Sequence, residues 1–150
     1  MNQIAADREA PVYSRDEVLV GAPPETVWSV ISDIAGWPRW NPDVRDARID
    51  GEFATGTSFE WKAGPGTIRS TLKEVDRPRL VGWTGKTMGI PAIHIYRLEE
   101  AGDQTRVVLE ESWDGVLSRL FRKYFQTTLD KAVTGGLRAL KSEAERRAAV

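Results

Sequence analysis

The sequence predicts an α+β fold in which a seven-stranded antiparallel sheet wraps around one long C-terminal helix. Three observations carry that reading. From Val116 onward there is no proline, and Leu117, Leu120, Phe121, Tyr124, Phe125 and then Leu129, Val133, Leu137 and Leu140 recur at helical spacing. Between Val44 and Trp113 the apolar residues instead alternate with polar ones, in short runs divided by turn residues. The change of period falls at Asp114-Gly115. A long helix with an aromatic-rich stripe, here expected over about Val116–Glu145, needs an extended apolar partner. The strands upstream are the only one available, so the helix must lie across the sheet. A curved sheet gripping a helix leaves space between them.

The elements follow in order. Residues 1–10 are polar and are expected to be loose, with residues 11–150 forming one domain. A first strand is expected at about Tyr13–Val20, broken by Gly21-Ala22-Pro23-Pro24. Pro24 suits the first turn of a helix and Glu25 its positive end, so a helix over Glu25–Ile34 buries Val27, Trp28, Val30 and Ile31. Gly36-Trp37-Pro38-Arg39-Trp40-Asn41-Pro42 stops it and has room for one more short turn, which gives two short helices after the first strand. Strands are then expected at about Val44–Asp50, Ser58–Ala63, Thr67–Val75, Leu80–Thr87, Ala92–Glu99 and Arg106–Trp113. Turn residues such as Met88-Gly89 and Gly102-Asp103 connect them, and connections this short make sequence neighbours antiparallel.

Composition narrows the function classes. A net charge of −1 offers no electrostatic footprint for nucleic acid. No apolar run approaches bilayer length, so no stable membrane insertion is expected. The absence of cysteine and of an apolar leader suits a cytoplasmic protein. A single histidine without cysteine argues against a zinc site, and no metal or other cofactor is expected. Gly85-Lys86-Thr87 imitates the end of a phosphate-binding loop, but Leu80 stands where the first glycine should be, and Gly89 and Pro91 forbid the helix that should follow. Arg119, Arg122 and Lys123 read as a solvated helix face.

Five segments keep a familiar order and spacing: Pro23-Pro24-Glu25-Thr26-Val27-Trp28, Trp37-Pro38-Arg39-Trp40-Asn41-Pro42, Gly56-Thr57-Ser58-Phe59-Glu60-Trp61, Asp76-Arg77-Pro78-Arg79-Leu80 and Leu137-Arg138-Ala139-Leu140-Lys141-Ser142-Glu143. Together with the element order, they resemble the helix-grip fold of the START/Bet v 1-like (SRPBCC) superfamily, in particular its polyketide cyclase/dehydrase and lipid-transport branch. The likeness runs from Tyr13 to about Glu145. It implies a cavity between sheet and helix for a lipid- or polyketide-like molecule, and in some members cyclisation or dehydration of polyketide chains.

The register of the last hairpin tells which residues face that cavity. A turn centred on Gly102-Asp103 pairs Leu98 with Val107, Tyr96 with Leu109 and His94 with Glu111. The apolar members mark the inner face, so His94 and Glu111 are carried inward with Trp113. Phe59, Trp61 and Ser70 are expected on the same face, while strict alternation from Leu80 leaves Trp83 outside unless a bulge intervenes. Phe121, Tyr124 and Phe125 are expected to close the cavity from the helix, and since a void of even ~300 Å³ would be costly if empty, it should hold water, a ligand or a swung-in side chain. Trp37, Trp40 and Asn41 form either a lid at its mouth or a plug at the barrel end. The Gly135-Gly136 pair reads as close helix–sheet contact, or else as a local soft point or extra cavity volume.

Readings from different classes follow. The chain binds a hydrophobic small molecule, as monomer or homodimer. Alternatively it is a polyketide cyclase- or dehydratase-like enzyme with His94 as acid/base and Glu111 orienting it. A protein-interaction role, as in the Hsp90-activator relatives of the superfamily, is the third.

Overall fold

Met88 and Gly89 both take positive φ, 51° and 77°, the combination of a two-residue turn whose twist matches that of the strands it joins. It connects β5 (Leu80–Thr87) to β6 (Ile90–Ala101), the central hairpin of the sheet. The computed structural model describes residues 3–150 and places seven antiparallel strands in one sheet. Beside that hairpin stand β4 (Gly66–Asp76), β3 (Ser58–Ala63) and β2 (Val44–Ile49) on one side, and β7 (Gln104–Trp113) and β1 (Val12–Val20) on the other. Two short helices, α1 (Pro24–Ser32) and α2 (Trp37–Trp40), separate β1 from β2. Among the described residues no helix is long and apolar enough to cross a membrane.

The C-terminal helix divides where the sequence predicts continuity. α3 (Val116–Leu120) ends at Phe121, whose backbone leaves helical geometry (φ −115°, ψ 38°), and α4 covers Arg122–Ala148. The apolar stripe overruns the surface available to it. Only from Leu129 onward, through Val133, Leu137, Leu140 and Ala144, does every fourth or third residue meet the core.

α4 also closes an open edge of the sheet. The Gln126 amide accepts from Tyr13 N–H and donates to Tyr13 O, Thr134 Oγ1 donates to Asp16 Oδ2, and Lys141 Nζ donates to Leu19 O. Roughly two helical turns separate each of these side chains, so one helix face meets the free side of β1 near both ends and at its middle.

Of the N-terminal residues expected to be loose, 1–2 lie outside the described residues and 3–10 run along the outer face. Ile4 N–H donates to the Glu74 carboxylate and Asp7 N–H to Ser112 Oγ. The Ile4 side chain lies 2.5 Å from where a Cβ on Gly82 would stand. This large apolar side chain, followed only by alanines and polar residues up to Ala10, covers a glycine the sheet leaves bare.

Candidate functional site

The last hairpin has the expected register: His94 faces Glu111, Tyr96 faces Leu109 and Leu98 faces Val107. The Met88-Gly89 turn sets the next pairing by the same logic and places Trp83 opposite His94. Directly paired residues share a face, so Trp83 points inward, is 1% exposed, and belongs to the core. This corrects the alternation counted from Leu80. On the far side a bulge at Lys73 keeps Leu72 inward against Trp83.

Two rows of paired residues build the site. One runs Glu111, His94, Trp83 and Leu72 across β7 to β4. The other runs Trp113, Ala92, Gly85, Ser70 and Phe59 across β7 to β3. Three small residues in succession leave a floor between large aromatic walls. Over it lies a hollow of about 80 Å³, lined also by Trp61, Ile68 and Ile90. A second hollow of about 40 Å³ lies between Trp37, Trp40, Asn41, Val44 and Tyr96. Trp61, Trp83 and His94 border both.

Those rings also explain why no single large void forms. Trp37 meets Phe59 and Trp61 edge-on, with centroids 5.7 and 5.5 Å away, and leans on Trp83 at 5.6 Å. Its Nε1–H donates to Ile31 O over 2.9 Å in a buried bond. Trp37 is therefore a plug and not a lid, because its indole N–H finds its partner inside. Trp40 and Asn41 are half-buried beside the second hollow.

The polar groups converge on His94. Its ring stacks on Trp83 at 4.3 Å and 9°. Its Nδ1–H donates to Glu111 Oε1, and Trp113 Nε1–H donates to Glu111 Oε2 over 2.6 Å. With Nδ1 so committed, the other nitrogen carries the chemistry. His94 Nε2 is buried without a partner among the described residues, and so is Trp40 Nε1. Trp61 Nε1–H donates to Ser70 Oγ over 3.1 Å. Burial, and then the Glu111 charge, push the Tyr96 phenol well above its ordinary range.

The helix contributes less than expected. Phe125 packs edge-on against Trp113 at 5.8 Å, at the rim. Phe121 and Tyr124, expected to line the cavity, are 54% and 70% exposed and touch neither hollow. The break at Phe121 turns both outward. The sequence leaves Trp83 open, and Gly85, Thr87, Ile90 and Ala92 are missed; the Met88-Gly89 turn identifies all five once its register is followed.

The family profile described as polyketide cyclase/dehydrase and lipid transport matches residues 13–145. A putative polyketide cyclase of Streptomyces halstedii is 24% identical over 113 residues, covering 71% of this chain and 95% of that protein. The crystal structure of the Zhui aromatase/cyclase from Streptomyces sp. R1128 superposes with a TM-score of 0.77 at 19% identity, over 90% of this chain and 94% of the other. A START superfamily protein from Mycobacterium smegmatis gives 0.72 at 17% identity, over 89% and 97%. At these identities the two structures establish the helix-grip fold.

Proposed function

The chain belongs to the polyketide cyclase/dehydrase and lipid transport family, and on that premise we propose that it binds a flat, mainly apolar small molecule bearing one or two oxygen functions. The molecule lies on the inner face of the sheet, between Trp61, Trp83 and Trp113. The observation that carries this reading is the pair of buried, partnerless nitrogens, His94 Nε2 and Trp40 Nε1, set among aromatic walls. Leaving such an atom unpaired costs about 1–3 kcal/mol, and a ligand oxygen removes that cost. A hydroxyl or enol can donate to His94 Nε2 while a carbonyl accepts from Trp40 Nε1–H. Pockets for drug-sized ligands run to roughly 300–1,000 Å³, so binding requires the two hollows both to merge and to widen. Half-buried Trp61, whose indole is tied to Ser70 by one hydrogen bond, is the ring free to swing.

A second reading, acid/base catalysis, is favoured by the Trp113–Glu111–His94 chain of hydrogen bonds. His94 Nε2 takes a proton from a carbon flanked by two carbonyls, and Glu111 offsets the charge gained by the imidazole. The resulting carbanion attacks a carbonyl of the same molecule, forming one carbon–carbon bond and an alkoxide. The alkoxide recovers the proton from the imidazolium, and loss of water from that alcohol then gives the dehydrated ring. Such a positioned base contributes about 10²–10⁴-fold.

The test is titration of a fluorescent anilinonaphthalene probe and its displacement by polycyclic phenols. His94→Gln and Trp40→Phe are each expected to weaken phenol binding by about tenfold, the value of one hydrogen bond to a buried polar group. Unchanged affinity in both variants rejects the site. For the enzyme reading, a linear poly-β-ketone thioester is followed for ring formation, and full turnover by both His94→Gln and Glu111→Gln rejects catalysis.

A further inference from the structure

The segment Val116–Tyr124 after β7 is apolar, aromatic and basic, and contributes no apolar side chain to the core. Between Asp114 and Asp130 there is no acidic residue, while Arg119, Arg122 and Lys123 are all exposed. Val116, Leu120, Phe121 and Tyr124 are each more than half exposed, and Leu117 is 38% exposed. Of α3, only Ser118 is buried. The β5–β6 turn brings Met88, 62% exposed, to the same end, since the Gly89 carbonyl lies 3.5 Å from the Cβ position of Gly115. Contiguous apolar exposure of this kind marks a docking surface.

Charge decides the occupant. A second copy meeting the patch about a two-fold axis would set three cations against their own equivalents. A nucleic acid would satisfy the cations and leave the valine and leucines uncovered. An anionic bilayer surface matches both features, because leucine and aromatic side chains enter the boundary below the headgroups while Lys and Arg stay at phosphate level. The whole-chain charge of −1 conceals this local excess.

We propose that the Met88 and Val116–Tyr124 end of the molecule docks onto an anionic lipid surface. Leu120, Phe121 and Tyr124 enter the interface, and Arg119, Arg122 and Lys123 hold the phosphates. Phe121 meets Phe125 at 6.3 Å and Phe125 meets Trp113 at 5.8 Å, so the docked end is also the rim of the larger hollow. Docking stands independently of what that hollow holds.

Co-sedimentation of the full chain tests this, with vesicles of phosphatidylcholine alone and of phosphatidylcholine mixed with phosphatidylglycerol. Binding is expected to the anionic vesicles only, and to be lost in about 1 M salt, where the screening length is about 3 Å. Arg122→Glu with Lys123→Glu should lower affinity by at least about 25-fold, roughly fivefold per cation removed. Leu120→Asp with Phe121→Asp should abolish binding. These positions are exposed, and an unchanged near-UV spectrum verifies the fold. Lys131→Glu with Arg138→Glu, exposed on α4 beyond the patch, should retain most of the affinity and lose far less than the patch variants. Absence of binding to anionic vesicles overturns the proposal. So does equal loss in the patch and control variants, or a dimer split by Leu120→Asp that ignores vesicles.

Discussion

Glu110 and Glu111 are neighbours on β7, and the pleat sends them to opposite faces of the sheet. On the outer face Glu110 is surrounded by groups that fix its charge. Tyr13 O–H donates to it over 2.5 Å, the Arg97 guanidinium donates over 2.5 Å, and Arg8 stands 3.7 Å away. Burial pushes the Glu110 carboxyl up, but Tyr13 and Arg97 outweigh it and hold the group below the usual carboxylate range. Burial and the same contact push the Tyr13 phenol up. On the inner face Glu111 has an indole N–H and an imidazole as its hydrogen-bonding partners. The difference separates two uses of one residue type. A carboxylate clamped by a guanidinium ties segments together, whereas one bound to an imidazole can support proton exchange at the far ring nitrogen.

The most disruptive way to break this contrast is to remove the ring that holds His94 in place. Trp83→Ala is expected to cost about 3–5 kcal/mol, the usual range for a large core aromatic. Trp83 borders both hollows, so its loss should merge them and tighten binding of the anilinonaphthalene probe. Chemical denaturation gives the first effect and fluorescence titration the second. A destabilised variant with unchanged probe affinity would show that the inner face is only a core.

A gentler pair of substitutions compares the two carboxylates directly. Glu110→Gln should cost about 1.5–3 kcal/mol, because it removes hydrogen bonds to a charged group. Glu111→Gln keeps an acceptor for Trp113, and its amide can donate to His94 Nδ1 once the imidazole carries its proton on Nε2, so it should cost under about 1 kcal/mol. The pH dependence should differ as well. Glu110 has a depressed folded pKa, so its contribution is present above the unfolded value of about 4.3 and is lost as pH falls through the lower folded value. The gap between wild type and Glu110→Gln should therefore close in acid. Tyr13, with a raised folded pKa, contributes in full below about pH 10 and loses that contribution as pH rises through its folded value. Urea denaturation across pH checks both signs, and equal costs for the two glutamines would erase the distinction between the faces.

Local chemistry made the sheet legible, and distance made the site less so. Gly102-Asp103 and Met88-Gly89 each define a hairpin register, and with it the pairs His94–Glu111 and Trp83–His94. Alternation counted from Leu80 leaves the facing of Trp83 open, and only the register set by the Met88-Gly89 turn points it inward. Periodicity also named the helix stripe, but it cannot tell how far the partner surface extends, so Phe121 and Tyr124 were assigned to a cavity they do not reach. The prolines around Trp37 and Trp40 predicted an irregular stretch, and only the hydrogen bond to Ile31 distinguishes plug from lid. Cavity size depends on where the Trp37, Trp61 and Trp83 rings point, which residue type alone does not encode.

The smallest expected effect concerns space left on the inner face. Gly136 is buried on α4, yet a Cβ built on it meets nothing within 4 Å, and one on Gly135 meets only Asp43 Oδ2 at 3.9 Å. The glycine pair is therefore not there to let helix and sheet approach, and close contact gives way to the other sequence readings, spare volume or a local soft point. Glycine within a helix is less favourable than alanine by about 1 kcal/mol. Gly136→Ala should accordingly raise stability by up to about 1 kcal/mol, since the methyl group enters open space and the helix gains propensity. The unfolding midpoint in urea measures this. If the space beside Gly136 communicates with the binding face, probe affinity should fall slightly while stability rises. Lower stability in Gly136→Ala would mean that α4 closes on its surroundings at this turn, and the inner face would then hold no more room than its two small hollows.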